Sequence, residues 1–189
     1  MKFNILASPT FSWLKMNGGE LLDLPAMERL SPAIELPEGV RVEKLNGVRA
    51  KEMRTGGGEE FGQALAAAKL PILICTVPED QQIAGRDALR LLFELPDEGE
   101  EYDPKGRIAL KSKKTNDAPA QAGKFAEVEL NLETGSSLTA VMDYHSEASA
   151  KGLAGVQTKI TLGEGAKLTL VQIVRLGSGY TFLNDVGAV

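Results

Sequence analysis

Two segments of the chain, residues 128–144 and 158–174, carry the same pattern at one fixed offset. Each copy has alternating apolar positions, then a glycine, then Leu-Thr-x-Val. A unit that recurs at a fixed period cannot bury its apolar face alone and packs against its neighbouring copy. We call the number of residues that separates matched positions the repeat offset. The matched pairs are Leu130 and Ile160, Leu132 and Leu162, Gly135 and Gly165, Leu138 and Leu168, Thr139 and Thr169, and Val141 and Val171.

Strand–turn–strand units that stack in this way predict a parallel β-helix, in which matched residues lie in ladders about 4.8 Å apart. The alternative is a pair of β-hairpins in an antiparallel sandwich. The shared glycine and Leu-Thr-x-Val at a single offset favour stacking. Continuing the offset predicts a third coil that opens near residue 188.

The sequence breaks off at that point without a polar cap, which solenoids need to stay soluble. We therefore expect the chain to be a piece of a longer protein with an open solenoid edge. Unpaired backbone groups on such an edge can form hydrogen bonds with an edge strand of another chain. We therefore expect a homodimer through this edge.

The residues before the repeat have a different character. Acidic residues at 59 and 60, followed by apolar residues at helical spacing, predict a helix that ends at Pro71. Residues 40–45 and 71–77 are predicted strands, and residues 86–96 fit either a helix or a strand. Because residues 111–123 have linker composition, we predict an α+β N-terminal domain over 1–122 and the start of the β-helix over 123–189.

Composition excludes several functional classes. The 189 residues carry a net charge of −5 and show no basic face interleaved with aromatics, which argues against nucleic-acid binding. No apolar run approaches the roughly 20 residues of a membrane-spanning helix. The sequence shows no export signal, and one cysteine cannot form an intrachain disulfide, so a cytoplasmic protein is expected.

The residues that could carry chemistry are few. Cys75 lies in the apolar run "PILICTV" and is predicted to be a core residue rather than a nucleophile. His145 is predicted to be a solvated loop residue. Asp143, His145 and Glu147 alternate along the chain, but Ile173 replaces Asp143 in the second copy, which argues against a metal site. The acidic run at 97–101 is predicted to form solvated surface. We predict no catalytic, cofactor-binding or metal-binding residue.

Several motifs, taken in order, resemble the SufB/SufD family of the SUF machinery, which assembles iron–sulfur clusters. They are "PTFSWLKMNG" at 9–18, "LPEGVRVEKL" at 36–45, "FGQALAAAKLPILICTVPED" at 61–80, and the two repeat copies with Gly135–Tyr144 and Gly163–Leu168. The resemblance implies a small N-terminal domain followed by a right-handed parallel β-helix. It also implies a scaffold that works with SufB-like proteins and the SufC-like ABC-type ATPase.

The chain departs from that family in one important respect. Family members continue for many more coils and end in a helical segment that docks the ATPase. Their cysteine and histidine residues implicated in cluster building lie in those later coils, so none is carried over onto a position here. Any iron–sulfur cluster is expected to form transiently in the full complex.

The rival class is an enzyme built on a β-helix. An acyltransferase solenoid would show an aliphatic residue every six positions, whereas the repeat of this chain is several times longer. A polysaccharide lyase would need clustered Asp, Lys and Arg on one face together with export, and neither is visible. A permease associated with an ABC-type ATPase would need a spanning segment.

Overall fold

The computed structural model describes residues 2–3, 19–20, 26–46, 53, 55–99 and 122–189. The predicted linker, apart from its last two residues, and the motif at 9–18 lie outside the described residues. The described part is mainly β. In chain order its elements are β1 (Lys2–Phe3), β2 (Gly19–Glu20), β3 (Met27–Arg29), β4 (Ala33–Glu35), β5 (Arg41–Leu45), α1 (Glu59–Ala68), β6 (Ile72–Val77), β7 (Gln82–Ile83), β8 (Leu89–Glu94), β9 (Gly123–Leu132), β10 (Ser137–His145), β11 (Lys151–Leu162), β12 (Lys167–Arg175) and β13 (Gly179–Ala188).

Apart from the small antiparallel pair β1–β2, the strands form two mixed sheets, neither of which closes. The first sheet has the order β13-β11-β9-β6-β5, with β3 also paired to β9. The second has the order β12-β10-β8-β4, with β7 paired to β10. From β9 onward, successive strands alternate between the two sheets. Every pair in them is parallel except β5–β6 and β4–β8.

The predicted parallel register of the repeat is confirmed. Leu138 pairs with Leu168 between β10 and β12, and Leu130 pairs with Ile160 between β9 and β11. Both pairs keep the repeat offset, so the apolar residues that recur in the sequence lie side by side in the sheets.

The predicted opening of a third coil near residue 188 is wrong. That strand is β13, which begins at Gly179 and pairs with β11 at a slightly shorter offset, for example Ile160 with Ala188. Two causes account for the error. The strands of the first sheet begin several residues before the apolar pattern, and the connection after β12 is shorter than the connection after β10.

The turns between the two sheets also stack on one another. The Gly135 N–H donates to the Glu164 carbonyl at 2.9 Å, and the Asp80 N–H donates to the Thr134 carbonyl at 3.0 Å. Asp80, Gly135 and Gly165 all adopt positive φ, at 60°, 69° and 70°. Three successive turns therefore share one left-handed position, which glycine adopts without the steric cost that a Cβ brings.

The core lies between the two sheets. The segment with the ambiguous pattern, residues 86–96, follows a 3-10 helix over Gly85–Asp87 with strand β8. Leu91 and Phe93 on β8, and Leu95 just after it, are buried in this core as the strand pattern requires. Tyr144 is fully buried and stacks on Phe93, with ring centroids 5.0 Å apart. Full burial of side chains of this size stabilises a fold by about 1.5–3 kcal/mol each, so this interior dominates the stability.

The predicted helix is confirmed as α1, which packs on the outer face of the first sheet. Phe61 and Leu65 on the helix contact Phe125 and Leu153 on β9 and β11. The helix ends at Lys69 in the left-handed conformation, before Pro71.

The segment before α1 is fixed by hydrogen bonds to β13, a strand that comes much later in the chain. The buried carboxylate of Asp185 accepts hydrogen bonds from the Thr55 hydroxyl at 2.6 Å, the Gly57 N–H at 2.5 Å and the Gln157 side-chain amide at 2.7 Å. Because Thr55 and Asp185 are far apart in the chain, the last strand docks the helix through a long-range contact.

Strands from both sides of residue 122, the predicted domain boundary, pair with each other. β6 pairs with β9 over Ile72–Val77, and β8 pairs with β10 over Leu89–Glu94. The offset between β6 and β9 is much longer than the repeat offset, since Ile72 lies opposite Glu127. The parallel stacking thus begins before the repeat that the sequence displays.

Candidate functional site: the uncovered end of the two sheets

The strands β12 and β13 form the edges of the second and first sheets at the same end of the stack. We call this surface the open end. Each of these strands has a single paired neighbour among the strands that the structure describes. They are nine and ten residues long, so they present two long rows of backbone groups. Such rows accept a further strand.

The opposite edges of the two sheets have a different design. There β4 and β5 are three and five residues long and run antiparallel to their neighbours. Exposed charged side chains lie along them, which discourages a further strand from pairing. They are Glu35, Arg41, Glu43 and Lys44.

The apolar side chains of the open end are less covered than their counterparts one layer below. On β12, Leu168 and Leu170 are half-buried, whereas Leu138 and Ala140 beneath them are buried. Val174 is 51% exposed, whereas its counterpart Tyr144 is fully buried. The open end is therefore a cross-section of the apolar interior that remains accessible.

A pair of amides crosses this apolar cross-section. The side chain of Gln172 on β12 donates to the Asn184 amide oxygen at 3.1 Å, and Asn184 on β13 donates back at 3.0 Å. In the layer below, the matching residues are Met142 and Val156, both fully buried and apolar. At this one position, apolar side chains in the layer of β10 and β11 are replaced by amides in the layer of β12 and β13.

The amide pair is tied to the buried aromatic column. The Gln172 amide also donates to the Tyr144 hydroxyl at 3.3 Å, and Phe182 packs against the Tyr144 ring with centroids 4.8 Å apart. Burial raises the pKa of Tyr144 to about 12, an effect that the hydrogen bond from Gln172 partly opposes. Tyr144 is therefore a neutral phenol at physiological pH, and it positions Gln172 from below.

The outer face of the second sheet holds the residues that the sequence offered as a metal constellation. Asp143 and His145 lie on β10, and the Asp143 carboxylate forms an ion pair with Arg175 at 2.7 Å. Glu147 lies beyond the strand and is exposed. No cluster of three or more His, Cys, Asp or Glu with the arrangement of a metal site occurs in the described ranges.

The prediction that His145 is a solvated loop residue is wrong. It is the last residue of β10 and is half-buried, because it lies in register between Glu94 on β8 and Arg175 on β12. The Asp143–Arg175 ion pair and His145 therefore belong to the packed surface of the sheet.

The prediction that Cys75 is a core residue is confirmed. Its thiol is fully buried in β6, and burial raises its pKa to about 12. The thiol stays protonated at neutral pH, and a protonated thiol is a poor nucleophile.

In the acidic run at 97–101, Asp97 and Gly99 are exposed, as predicted for a solvated surface, but Asp97 also makes specific hydrogen bonds. The Asp97 carboxylate accepts hydrogen bonds from the N–H groups of Gly99 and Lys151, both at 3.0 Å. These two bonds hold the pKa of Asp97 below its usual range. The carboxylate fastens residues 97–99 to the start of β11; residues 100–101 lie outside the described residues.

Sequence reasoning missed the amide pair. A signal was present, since Gln172 interrupts the apolar alternation of "LTLVQIV" where the first copy has Met142. Asn184 lies in a strand that the repeat offset did not predict, so the pattern could not identify it as the partner of Gln172.

No helix in the described part of the chain is long and apolar enough to cross a membrane. Comparison of the chain with models of known protein families, with curated proteins and with solved structures found no match.

Proposed function

We propose that this chain is a non-catalytic scaffold of the SUF iron–sulfur cluster assembly apparatus, SufD-like in role and cytoplasmic. In this proposal the two sheets are the first coils of a right-handed parallel β-helix. The proposal is supported by the order of motifs that resemble the SufB/SufD family. The parallel pairing of strands at the repeat offset also agrees with it.

The observation that carries the proposal is the open end. It combines two long edge strands with incompletely covered apolar side chains, Leu168, Leu170 and Val174, of which Val174 is 51% exposed. An accessible edge of this kind binds other chains by strand addition. The groups there are aliphatic side chains and amides, which suit binding better than reaction.

The partners in this proposal are a SufB-like protein, the SufC-like ATPase and a second copy of the chain bound through the open end. The scaffold holds no cofactor of its own, and a cluster forms transiently in the complete assembly.

The test is co-purification of this chain with the SufB-like and SufC-like proteins of the same organism, followed by light scattering to obtain the mass of the complex. The matched variants are Val174→Lys at the open end and Leu45→Lys on β5, where Leu45 has a similar exposure of 46%. A lysine at an edge discourages strand pairing. Val174→Lys should therefore abolish the complex while Leu45→Lys leaves it intact. Failure of the unaltered chain to form a complex with either protein would refute the proposal.

A further inference from the structure

We infer that the groups that bind Asp185 form an oxyanion site at the start of α1, and that the ligand it takes is a phosphate group that keeps at least one O–H. The carboxylate of Asp185 fills this site from within the chain, so the site is closed by its own side chain. The inference is independent of the SUF proposal and of the open end.

The site is built from neutral donors that converge on one carboxylate. The Thr55 hydroxyl and the Gly57 N–H come from the segment before α1, and the Gln157 amide comes from β11. The helix itself runs for ten residues and adds the positive end of its dipole. A glycine-rich loop that leads into a helix N-terminus is a general arrangement for binding phosphate.

The glycines at 56–58 let an anion approach the backbone closely. A Cβ at Gly57 would lie 2.7 Å from the Asp185 carboxylate, so a larger residue would occupy the place of the anion. Gly58, at the start of the helix, has a φ of 87°, which favours glycine. Gly56 is exposed, and Thr55 and Gly57 are half-buried. A ligand can therefore reach these donors from the side of the loop.

The side chain of Gln157 favours a ligand other than a carboxylate. It is 1% exposed, and its amide nitrogen donates to Asp185 and, at 3.3 Å, to Thr55. The oxygen of the same amide is buried and has no hydrogen-bond partner in the described part of the chain. A buried acceptor without a donor is costly. An ionised carboxylate has no donor to offer it, whereas a phosphate with one O–H has. Several donors and one acceptor thus match hydrogen phosphate better than they match Asp185.

The charges near the site set its strength. Glu60 on α1 is exposed, and the carboxylate of Glu127, next to Gln157 in the sheet, forms an ion pair with Lys159 at 2.6 Å. Because the groups that bind Asp185 are neutral, we expect a dissociation constant in roughly the millimolar range. Asp185 is tethered and competes at a high local concentration. The unaltered chain should therefore bind phosphate at least about tenfold more weakly than a chain without this carboxylate.

The experiment is an NMR titration of the ¹⁵N-labelled full chain at about pH 7 with inorganic phosphate up to about 50 mM, followed at the Gly57 N–H. Sulfate at equal ionic strength is the competitor anion, because it is also tetrahedral but carries no O–H at this pH. The compared chains are the unaltered chain, Asp185→Ala, Asp185→Ala/Gln157→Leu and the control Glu164→Ala. The control removes one exposed acid and leaves the site filled.

We expect phosphate to shift the Gly57 signal of Asp185→Ala at concentrations at which sulfate does not. Phosphate should also restore at least half of the urea midpoint that Asp185→Ala loses. The double variant should lose the preference for phosphate, because leucine offers neither the amide donor nor the acceptor. Both salts strengthen apolar burial in every chain, so Glu164→Ala supplies the baseline. If Asp185→Ala is unfolded, its refolding by phosphate but not by sulfate, followed by circular dichroism, is the readout.

Two results would overturn the inference. Equal responses of Asp185→Ala to phosphate and sulfate would show that the Gln157 oxygen takes no part, and the ligand would not be a phosphate with an O–H. Equal stabilisation of Asp185→Ala and Glu164→Ala, with an unchanged Gly57 signal, would show that phosphate acts elsewhere on the chain. The complex with SufB-like and SufC-like proteins is measured separately and does not depend on either result.

Discussion

Replacing Asp185 by alanine should release the segment before α1 and destabilise the whole fold. The carboxylate is 2% exposed and accepts three hydrogen bonds, from Thr55, Gly57 and Gln157. A hydrogen bond to a charged group contributes about 1.5–3 kcal/mol, and a buried donor left without an acceptor costs about 1–3 kcal/mol. Water can reach the donors of Thr55 and Gly57, which are partly buried, so we expect a loss of about 3 kcal/mol rather than the sum. Domains of this size have roughly 5–15 kcal/mol in total, so the loss is large.

The assay is urea unfolding followed by circular dichroism, with Asp185→Asn as an isosteric variant and Glu164→Ala as a control. Asp185→Asn keeps one oxygen and loses the charge, and we expect it to cost about 1–2 kcal/mol. Glu164 is an exposed acid, so its loss should change stability by less than about 0.5 kcal/mol. If Asp185→Ala unfolds at the same urea concentration as the unaltered chain, β13 does not dock the segment before α1.

Three further predictions test the interior and the turns. Cys75→Ala should cost only modest stability, whereas Cys75→Asp should prevent folding because an unpaired buried charge is very costly. The native thiol should react slowly with a thiol reagent, and rapid labelling would contradict the burial of β6. The pKa of Tyr144 is raised from 10.0 to about 12 in the folded chain, so the stability that it contributes is complete below about pH 10 and is lost as the pH rises toward 12. Urea unfolding at about pH 8 and about pH 11 should therefore show a smaller alkaline loss for Tyr144→Phe than for the unaltered chain, and equal losses would exclude this cause. Gly165→Ala and Gly135→Ala should each cost about 1–2 kcal/mol for their positive φ. The Cβ at position 135 would also meet the Asp80 carboxylate, which is exposed and can rotate away. An unchanged free energy of unfolding in either variant would contradict the left-handed turn position.

The repeat and the helix could be predicted from the sequence for physical reasons. Ladder neighbours in parallel strands share one environment, so Leu138 and Leu168 retain the same residue type at a fixed offset. The helix over Glu59–Ala68 is local, and the acidic residues at its start and the apolar residues at helical spacing are visible within its own sequence.

The earlier part of the stack could not be predicted in the same way. Cys75 pairs with Leu130 at a much longer offset than the one that joins Leu130 to Ile160, because residues between β8 and β9 lengthen the connection. The number of residues that separates paired positions also differs between the β7–β10 and β8–β10 pairings, because the residues between β7 and β8 have no equivalent in the repeat. The shared turn position holds Asp80 in place of glycine, which hides the match.

The polar contacts of the open end depend on long-range pairing. Gln172 and Asn184 come together because β12 and β13 belong to different sheets that face each other. Asp185 likewise contacts Thr55, a residue far from it in the chain. Neither spacing nor composition carries that information. Only the register of both sheets places these side chains.

We propose that the open end is the surface through which this chain joins its partners. Hydrogen–deuterium exchange on the chain alone and in complex with the SufB-like and SufC-like proteins tests it most directly. The edge amides of β12 and β13 should exchange quickly in the free chain and become protected in the complex, while those of β4 and β5 keep their rates. Protection confined to β4 and β5, with unchanged exchange along β12 and β13 in a complex that does form, would contradict this proposal.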